Sequence, residues 1–439
     1  MNPVLEMNNY DKNRIFSFSI PIFFLSILLH QSNVILGINL SFADFFCIFL
    51  FLLLILNNRL YIPITPLVFF IILSCLVIVT ATFYVPIVFM VEPSPRVIIG
   101  DYIKLLAVFV YFVIGYNLTQ LNSMEKTLKW YSLFGMMIGA VGIVLTSLNI
   151  KAFSSLLFYG DIRFKGFMID PNYFSILQIT ALVYIIRSKS IKQRYKLLAV
   201  LITFLAVLTS GSKTGIITLC CYSIFRIIEY VLSDKKRLSV WFIHLITIIV
   251  IIVIFPLIFP YFQTLLNTLA SSTPSFSRVQ LLFTDFSSAI SENGSGRDLT
   301  WKVAVQLIQL SPVFGVGIGS YLNVSDQLFQ TSSISHNTFL QLSAEWGIPL
   351  AFFFFSYVFF LLGKSTMFHS RNKDMNLILR DIIIILLIGS IAISLNNARI
   401  LWLVLGALLS SLKGHQFINM GVYDVWKGSK LYKKKEENH

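Results

Sequence analysis

The segment SISHNTFLQLSAEWG places a histidine, an amide and a carboxylate just before a long apolar run. His336 has the clearest chemical use, because an imidazole accepts a proton near neutral pH and can activate a hydroxyl nucleophile. On a helix, His336, Leu340 and Ala344 would share one face, with the imidazole near the beginning of the helix. His336 is therefore a candidate general base. The alternative is that it caps the helix or hydrogen-bonds a neighbouring loop.

Three arginines offer groups for a phosphorylated ligand. Arg297 lies in GSGRDLTW, Arg278 in SFSRVQ and Arg163 in RFKGFMIDPNYF. Guanidinium groups keep their charge and bind phosphate oxygens through two hydrogen bonds, so they suit a pyrophosphate leaving group. For Arg278 the alternative is contact with lipid headgroups or pairing with Asp285.

Other polar residues flank these arginines. Lys213, in SGSKTG, either helps to neutralise a phosphate or extends to the membrane interface, and both interpretations remain open. Asp170 followed by Pro171 is typical of a capped helix start. Glu345 follows His336 by nine residues, which makes direct contact on one helix improbable. We expect Glu345 to pair with a basic residue of the loop.

Several motifs of soluble chemistry are missing from the sequence. It contains no Asp-x-Asp pair, no His-x-x-x-His pattern and no P-loop. A metal-dependent transferase of sugar nucleotides or an ATP-driven pump is therefore not expected, and we predict neither a metal nor a cofactor.

The composition indicates whether the chain is a soluble or a membrane protein. Of its 439 residues, 56% are hydrophobic and only 12% charged, whereas soluble domains have about 25% charged residues. A soluble globular protein and a disordered chain are both excluded. The net charge of +14 comes from short basic segments between apolar runs, so membrane orientation explains it better than nucleic-acid binding does.

The apolar runs predict an all-α polytopic membrane protein with about twelve transmembrane helices. We place them approximately at 15–32, 40–56, 66–90, 100–118, 128–148, 171–187, 196–210, 213–232, 240–262, 346–363, 377–395 and 399–413.

The Lys and Arg bias puts both termini in the cytoplasm. The chain then divides into spans one to nine (1–262), a periplasmic loop (263–345), spans ten to twelve (346–413) and a basic cytoplasmic tail (414–439). Within the loop we predict a helix over 298–310, a flexible glycine turn at 315–319 and a second helix. That helix is expected to begin near His336 and continue into span ten.

Four motifs in this order resemble the O-antigen ligase/polymerase superfamily of bacterial inner-membrane proteins. They are RFKGFMIDPNYF, TSGSKTG, GSGRDLTWKVAVQLIQLSPVFGVGIGSY and SHNTFLQLSAEWGIPLAF. The resemblance is best over residues 160–360 and implies a metal-independent glycosyltransferase with its active site facing the periplasm. The donor would be a glycan on undecaprenyl pyrophosphate, attacked at its anomeric carbon by an acceptor hydroxyl.

The resemblance also implies residue roles. His336 matches the base, and Arg163 and Arg297 match the pyrophosphate-binding positions, so these three are the candidate catalytic residues. Lys213 departs from the arginine expected in its motif. The candidate substrate- and pyrophosphate-binding residues are Arg278, Lys213, Lys165, Asn172, Asn337 and Glu345.

Within the superfamily the arrangement of SHNTFLQLSAEWG is more similar to an O-antigen polymerase, which joins lipid-linked repeat units. A ligase, which transfers the glycan to lipid A core, is the alternative. A lipid-linked glycan flippase and a structural assembly protein are the rivals from other classes. Expected partners are the lipid-linked glycan as donor and acceptor, membrane lipids and a separate chain-length regulator, with no nucleic acid.

Overall fold

A computed structural model describes most of the chain. The described residues are 9–35, 38–150, 153–160, 162–233, 297–367 and 373–413, with positions 257, 260, 261, 263, 264, 267, 268, 277–280 and 284. The predicted ninth span (240–262), the first part of the predicted loop and the tail (414–439) lie almost entirely outside them.

Helices make up nearly all of the first half of the described chain. In order they are α1 (Asn9–Leu28), α2 (Phe42–Leu56), α3 (Ile64–Val79), α4 (Val85–Phe89), α5 (Pro95–Gln120), α6 (Met124–Ser147), α7 (Ser154–Leu157), α8 (Pro171–Arg187), α9 (Gln193–Thr209) and α10 (Lys213–Ser233). A π-helical turn, Thr80–Tyr84, joins α3 to α4. Two short antiparallel hairpins interrupt the helices: β1 (Asn33–Ile35) with β2 (Ile38–Leu40), and β3 (Phe158–Tyr159) with β4 (Arg163–Phe164).

Six helices follow in the second half of the described chain. They are α11 (Arg297–Leu310), α12 (Tyr321–Phe329), α13 (Thr338–Trp346), α14 (Ile348–Met367), α15 (Lys373–Ser390) and α16 (Arg399–Lys413). α11 confirms the helix predicted over 298–310, whereas the sequence analysis missed α12.

The core is built on helices that approach each other closely. α5 packs along α16, where a Cβ at Gly115 would lie 1.8 Å from the carbonyl oxygen of Leu403 and one at Gly406 would lie 1.9 Å from that of Phe112. Only glycine permits this backbone approach, as in small-residue helix interfaces of membrane proteins. α8 packs between α6, α9 and α15, and most of its residues are buried. Because neighbouring helices hold α8 in place, polar groups at its two ends have fixed positions.

Among the described residues, five helical segments are long and apolar enough to cross a membrane. They are Ile64–Phe89, Pro95–Gln120, Met124–Ser147, Lys213–Val231 and Ile348–Met367. Phe18–Leu28 and Phe42–Leu56 are shorter apolar helices. The chain is thus a mostly helical membrane protein, while twelve spans and the orientation of the termini stay predictions.

Two local expectations for the loop need correction. Residues 315–319 lie packed inside the protein, with Val316 and Ile318 buried. Gly317 has a positive φ of +72°, and a Cβ there would lie 2.5 Å from the backbone nitrogen of Ala81. Further along, α13 does not continue into α14, because Gly347 breaks the helix with a φ of +77°.

Candidate functional site

Arg163 is presented by a hairpin whose other face is anchored in the core. Successive strand residues point to opposite sides, and the next residue, Phe164, is fully buried against Phe158 and Phe174. Arg163 therefore points away from that aromatic cluster. Its Nε donates to the carbonyl oxygen of Ser210 over 2.9 Å, and its Nη2 donates to Oδ1 of Asn172 over 3.1 Å.

The turn between α9 and α10 supplies the next group. The hydroxyl of Ser212 accepts from the backbone N–H of Gly215 over 3.0 Å, which caps α10. The same hydroxyl donates to Oδ1 of Asn172 over 2.9 Å. Asn172 thus ties the Arg163 hairpin to the start of α10, where Lys213 is the first helical residue.

Arg297, at the start of α11, reaches the same turn. Its Nη1 donates to Oγ1 of Thr214 over 3.2 Å. One helical turn later, the hydroxyl of Thr300 donates to the carbonyl oxygen of Ser335 over 3.3 Å. α11 consequently joins the Lys213 turn to the segment that carries His336.

His336 protrudes from a tightly bonded turn. Its backbone is left-handed, with a φ of +49°, a conformation uncommon outside glycine. The neighbours Ser335 and Asn337 are buried, whereas His336 is exposed. Asn337, through Oδ1, accepts from the N–H groups of Phe339 and Leu340 and so caps α13. The cap is therefore Asn337, and His336 does not act as one.

The electrostatic field joins these side chains into one cluster. Burial first, and then the charges of Arg278 and Arg297, lower the pKa of Arg163 to about 10, while Asp170 acts in the opposite direction. Burial also lowers the pKa of Arg297, with Arg278 adding to the effect. We call Arg163, Lys213, Arg278 and Arg297 the cation cluster, since Lys213 lies within the influence of the last two.

The imidazole of His336 lies at the edge of the cation cluster. Although the residue as a whole is exposed, partial burial of the imidazole lowers its pKa below the ordinary 6.5, the charge of Arg297 lowers it further, and Asp170 opposes both. The ring is therefore neutral near pH 7 and able to accept a proton.

The described hydrogen bonds of Arg163 and Arg297 go to neutral oxygens. The negative charge of Asp170 acts to raise the pKa values of Arg163, Arg297 and His336. Its Oδ1 also caps α8 by accepting from the N–H groups of Asn172 and Tyr173. Lys213 sits at a helix N-terminus, where the helix dipole favours an anion. The arrangement is thus suited to bind a multiply charged anion such as a pyrophosphate.

Two other predicted site residues make their described hydrogen bonds outside the cation cluster. Lys165 takes part through its backbone, whose N–H donates to the carbonyl oxygen of Leu157 over 2.8 Å; a role for its side chain stays a prediction. Glu345 is at the far end of α13, about 12 Å along the axis from Asn337. Its carboxylate accepts from Gln341, not from a basic loop residue as expected.

Sequence reasoning missed three hydroxyls of the hydrogen-bond network around the cation cluster and His336. Ser212, Thr214 and Ser335 are ordinary polar residues in the sequence, and only the Ser-Gly-Ser turn before a helix gave a local signal for one of them.

Within the part of the chain that the structure describes, no three His, Cys, Asp or Glu side chains are grouped to hold a metal ion.

Comparison with known proteins gives one match. No curated protein matches the chain. A family model described as O-antigen ligase matches residues 198–355, a segment that contains Lys213, Arg278, Arg297 and His336. This segment of the chain is therefore similar to the O-antigen ligase family.

Proposed function

We propose that the protein is an O-antigen polymerase, a glycosyltransferase that joins oligosaccharide repeat units carried on undecaprenyl pyrophosphate. The observation that carries the proposal is the convergence of the cation cluster and a neutral histidine at one end of the bundle. The similarity of residues 198–355 to the O-antigen ligase family supports the same chemistry.

The cation cluster is the proposed donor site. Arg163 and Arg297 hold the pyrophosphate oxygens, and Arg278 and Lys213 add charge around them. Asn172 positions Arg163, as its hydrogen bond from Nη2 indicates. Because negative charge grows on the pyrophosphate as it departs, fixed cations stabilise the transition state more than the ground state.

His336 is the proposed base. An acceptor hydroxyl oxygen forms a bond to the anomeric carbon of the donor, while the bond between that carbon and the pyrophosphate oxygen breaks. The electron pair of the broken bond leaves on undecaprenyl pyrophosphate, and the hydroxyl proton passes to the imidazole. The lowered pKa of His336 keeps the imidazole in its accepting form at neutral pH.

We place this reaction at the periplasmic face of the bacterial inner membrane, with a separate chain-length regulator as partner. Polymerase and ligase share the chemistry and differ in the acceptor. The arrangement around His336 in SHNTFLQLSAEWG favours the polymerase.

Surface lipopolysaccharide from a strain lacking the gene tests the acceptor. A ladder reduced to core with one repeat unit, restored by a plasmid copy, is the result expected of a polymerase. Core without any repeat, together with accumulated lipid-linked polymer, would identify a ligase instead.

Purified protein in detergent tests the class. A glycosyltransferase turns lipid-linked repeat units into a ladder and releases undecaprenyl pyrophosphate without a sealed compartment, which a flippase cannot do. Arg297→Lys keeps the charge and loses the two-pronged geometry, so we expect the donor KM to rise about tenfold. If the unchanged protein forms no product, the proposal is rejected.

A further inference from the structure

A cavity lies beside the C-terminal end of α13. Its volume is about 680 Å³, and neither Arg163 nor Arg297 lines it. Its walls come from the first half of α5, the glycine segment 315–319, α12, α13 and the turn before α16. The size is that of a pocket for a small ligand.

Glu345 is the most unusual group in this wall. Its carboxyl lies deep within the protein, and its side chain is partly accessible because it faces the cavity. Desolvation, with a smaller contribution from Asp101, raises its pKa to about 8, although the hydrogen bond from Gln341 and the charge of Lys104 act against the rise. At neutral pH the group is therefore mostly protonated and both donates and accepts.

The remaining polar groups are not satisfied by one another. The hydroxyl of Tyr321, buried near Glu345, has no hydrogen-bond partner among the described residues. Asn397, in the turn before α16, is exposed and contributes an amide to the opposite wall. Buried polar groups are normally paired in native proteins, so the Tyr321 hydroxyl retains hydrogen-bonding capacity beneath the wall, and the exposed amide of Asn397 is accessible to a polar ligand.

The charge of the cavity differs from that of the cation cluster. Lys104 and Asp101 form an ion pair of 2.7 Å within the wall, and the protonated Glu345 adds no charge. Arg96 is the further cation in the wall. Trp402 contributes an aromatic surface, with its Nε1 already bonded to the carbonyl oxygen of Asn396 over 2.7 Å. Amide, carboxyl and aromatic groups without a marked charge excess fit a saccharide better than a phosphate.

The cavity also extends toward the proposed base. Ile334, two residues before His336, lines it, as does Gln341. Gln341 accepts from Ser335 over 3.1 Å and donates to Glu345, so one side chain links the His336 turn to the cavity. A ligand that fills the cavity and reaches His336 must follow most of α13, which is longer than one sugar ring.

We propose that this cavity binds the acceptor oligosaccharide, with Glu345 and Asn397 as hydrogen-bonding groups and Trp402 as a packing surface. The proposal rests on the glycosyl transfer proposed above. It gives donor and acceptor separate sites at the two ends of α13.

Binding of the lipid-free repeat-unit oligosaccharide, measured by calorimetry on the full chain in detergent, tests the proposal. Asn397→Leu removes a donor and an acceptor from an exposed side chain, so it should fold normally and bind about three- to tenfold more weakly. Asn323→Leu, on α12 but outside the cavity wall, is the matched control and should bind as the unchanged protein does.

Kinetics give an independent readout. In Asn397→Leu the KM for acceptor should rise by the same factor, with little change in kcat or in donor KM. Unchanged binding and KM in this variant, or no binding of the oligosaccharide to the unchanged protein, would overturn the acceptor site. Oligosaccharide binding without any transfer would leave the acceptor site standing and reject the proposed function.

Discussion

Arginines gather at both ends of α8, and the two gatherings differ in what faces them. Near the first turn, Arg163 contacts the carbonyl of Ser210 and the amide of Asn172. About 22 Å farther along the helix, Arg187 contacts two carboxylates. The first set of arginines donates hydrogen bonds to neutral oxygens, whereas the second set pairs with carboxylates.

The second set is an ion network built from α8, α10 and α15. Arg187 lies 2.7 Å from Asp381 and 2.5 Å from Glu229, and Arg380 lies 2.8 Å from Asp381. Arg226 pairs with Glu229, and the hydroxyl of Tyr222 donates to Asp381 over 2.8 Å. Arg380 and Asp381 are almost completely buried.

The difference separates two uses of the same residue type. In the ion network, carboxylates occupy the guanidinium groups, so the arginines hold helices together. In the cation cluster, the described hydrogen bonds of Arg163 and Arg297 go to neutral oxygens, and holding several like charges close together costs stability. Such a cost is typical of functional sites, so of these two sets of arginines we propose only the cation cluster as a binding site.

The largest effect is expected at His336. His336→Asn removes the base but keeps a residue that tolerates the left-handed backbone. We expect turnover in detergent to fall about 10²- to 10⁴-fold, the usual contribution of a general base, with an unchanged thermal unfolding temperature. Turnover at the unchanged level would exclude His336 as the base.

Breaking the ion network should lower the thermal stability of the protein and leave its turnover unchanged. Asp381→Asn leaves Arg187 and Arg380 facing a neutral amide, and breaking a buried pair costs about 3–5 kcal/mol. We expect a clear loss of thermal stability, with normal kcat for the protein that remains folded. Asp374→Asn, which removes an exposed pair with Lys189, is the control and should change stability by less than about 1 kcal/mol. Equal stabilities for the two variants would contradict the assignment.

The enclosed carboxyl of Glu345 extends the comparison to pH. Glu345 has no arginine partner among the described residues, and its pKa is raised to about 8 by burial. A raised folded-state pKa means that the folded protein holds a proton that the unfolded chain releases above its ordinary value of 4.5. The contribution to stability should therefore fall as pH rises from about 4.5 to 8 and then level off.

Glu345→Gln tests this dependence. Unfolding temperatures of the variant and the unchanged protein should diverge over that pH range, with the variant becoming relatively more stable. Parallel curves would show that Glu345 is ionised in the folded protein.

The smallest effect concerns the electrostatic coupling between Arg297 and His336. Arg297 lowers the pKa of His336, so the acid limb of kcat/KM should lie below pH 6.5, with activity lost as pH falls through it. Arg297→Gln removes that charge and should move the limb upward by a fraction of a pH unit, besides weakening donor binding. Lys302→Gln, farther along α11, is the matched charge change and should leave the limb in place. An unmoved limb in Arg297→Gln would show that the two groups do not interact.

Local signals predicted most of the helices. Apolar length gave segments close to α3 through α6, and the Asp-Pro pair correctly marked the start of α8 at Pro171. The break between α13 and α14 was missed, because Gly347 adopts its conformation against the carbonyl of Val313, a distant contact.

The candidate site was predicted in part. Charge and position selected Arg163, Arg297 and His336, which the structure brings together. Nothing in the spacing showed that Asn337 would cap α13, or that Glu345 would turn toward Gln341 and a cavity. Both depend on which face of a short helix packs inward.

By itself, the sequence determined that this is a helical membrane protein with cations gathered outside its apolar runs, because composition and hydrophobic length act locally along the chain. Tertiary structure alone decided which arginines are neutralised. Arg187 and Arg163 look alike in sequence, but Glu229 and Asp381 reach the first through packing of α10 and α15 against α8. Coulomb energy depends on distance in space, and separation along the chain does not reveal it.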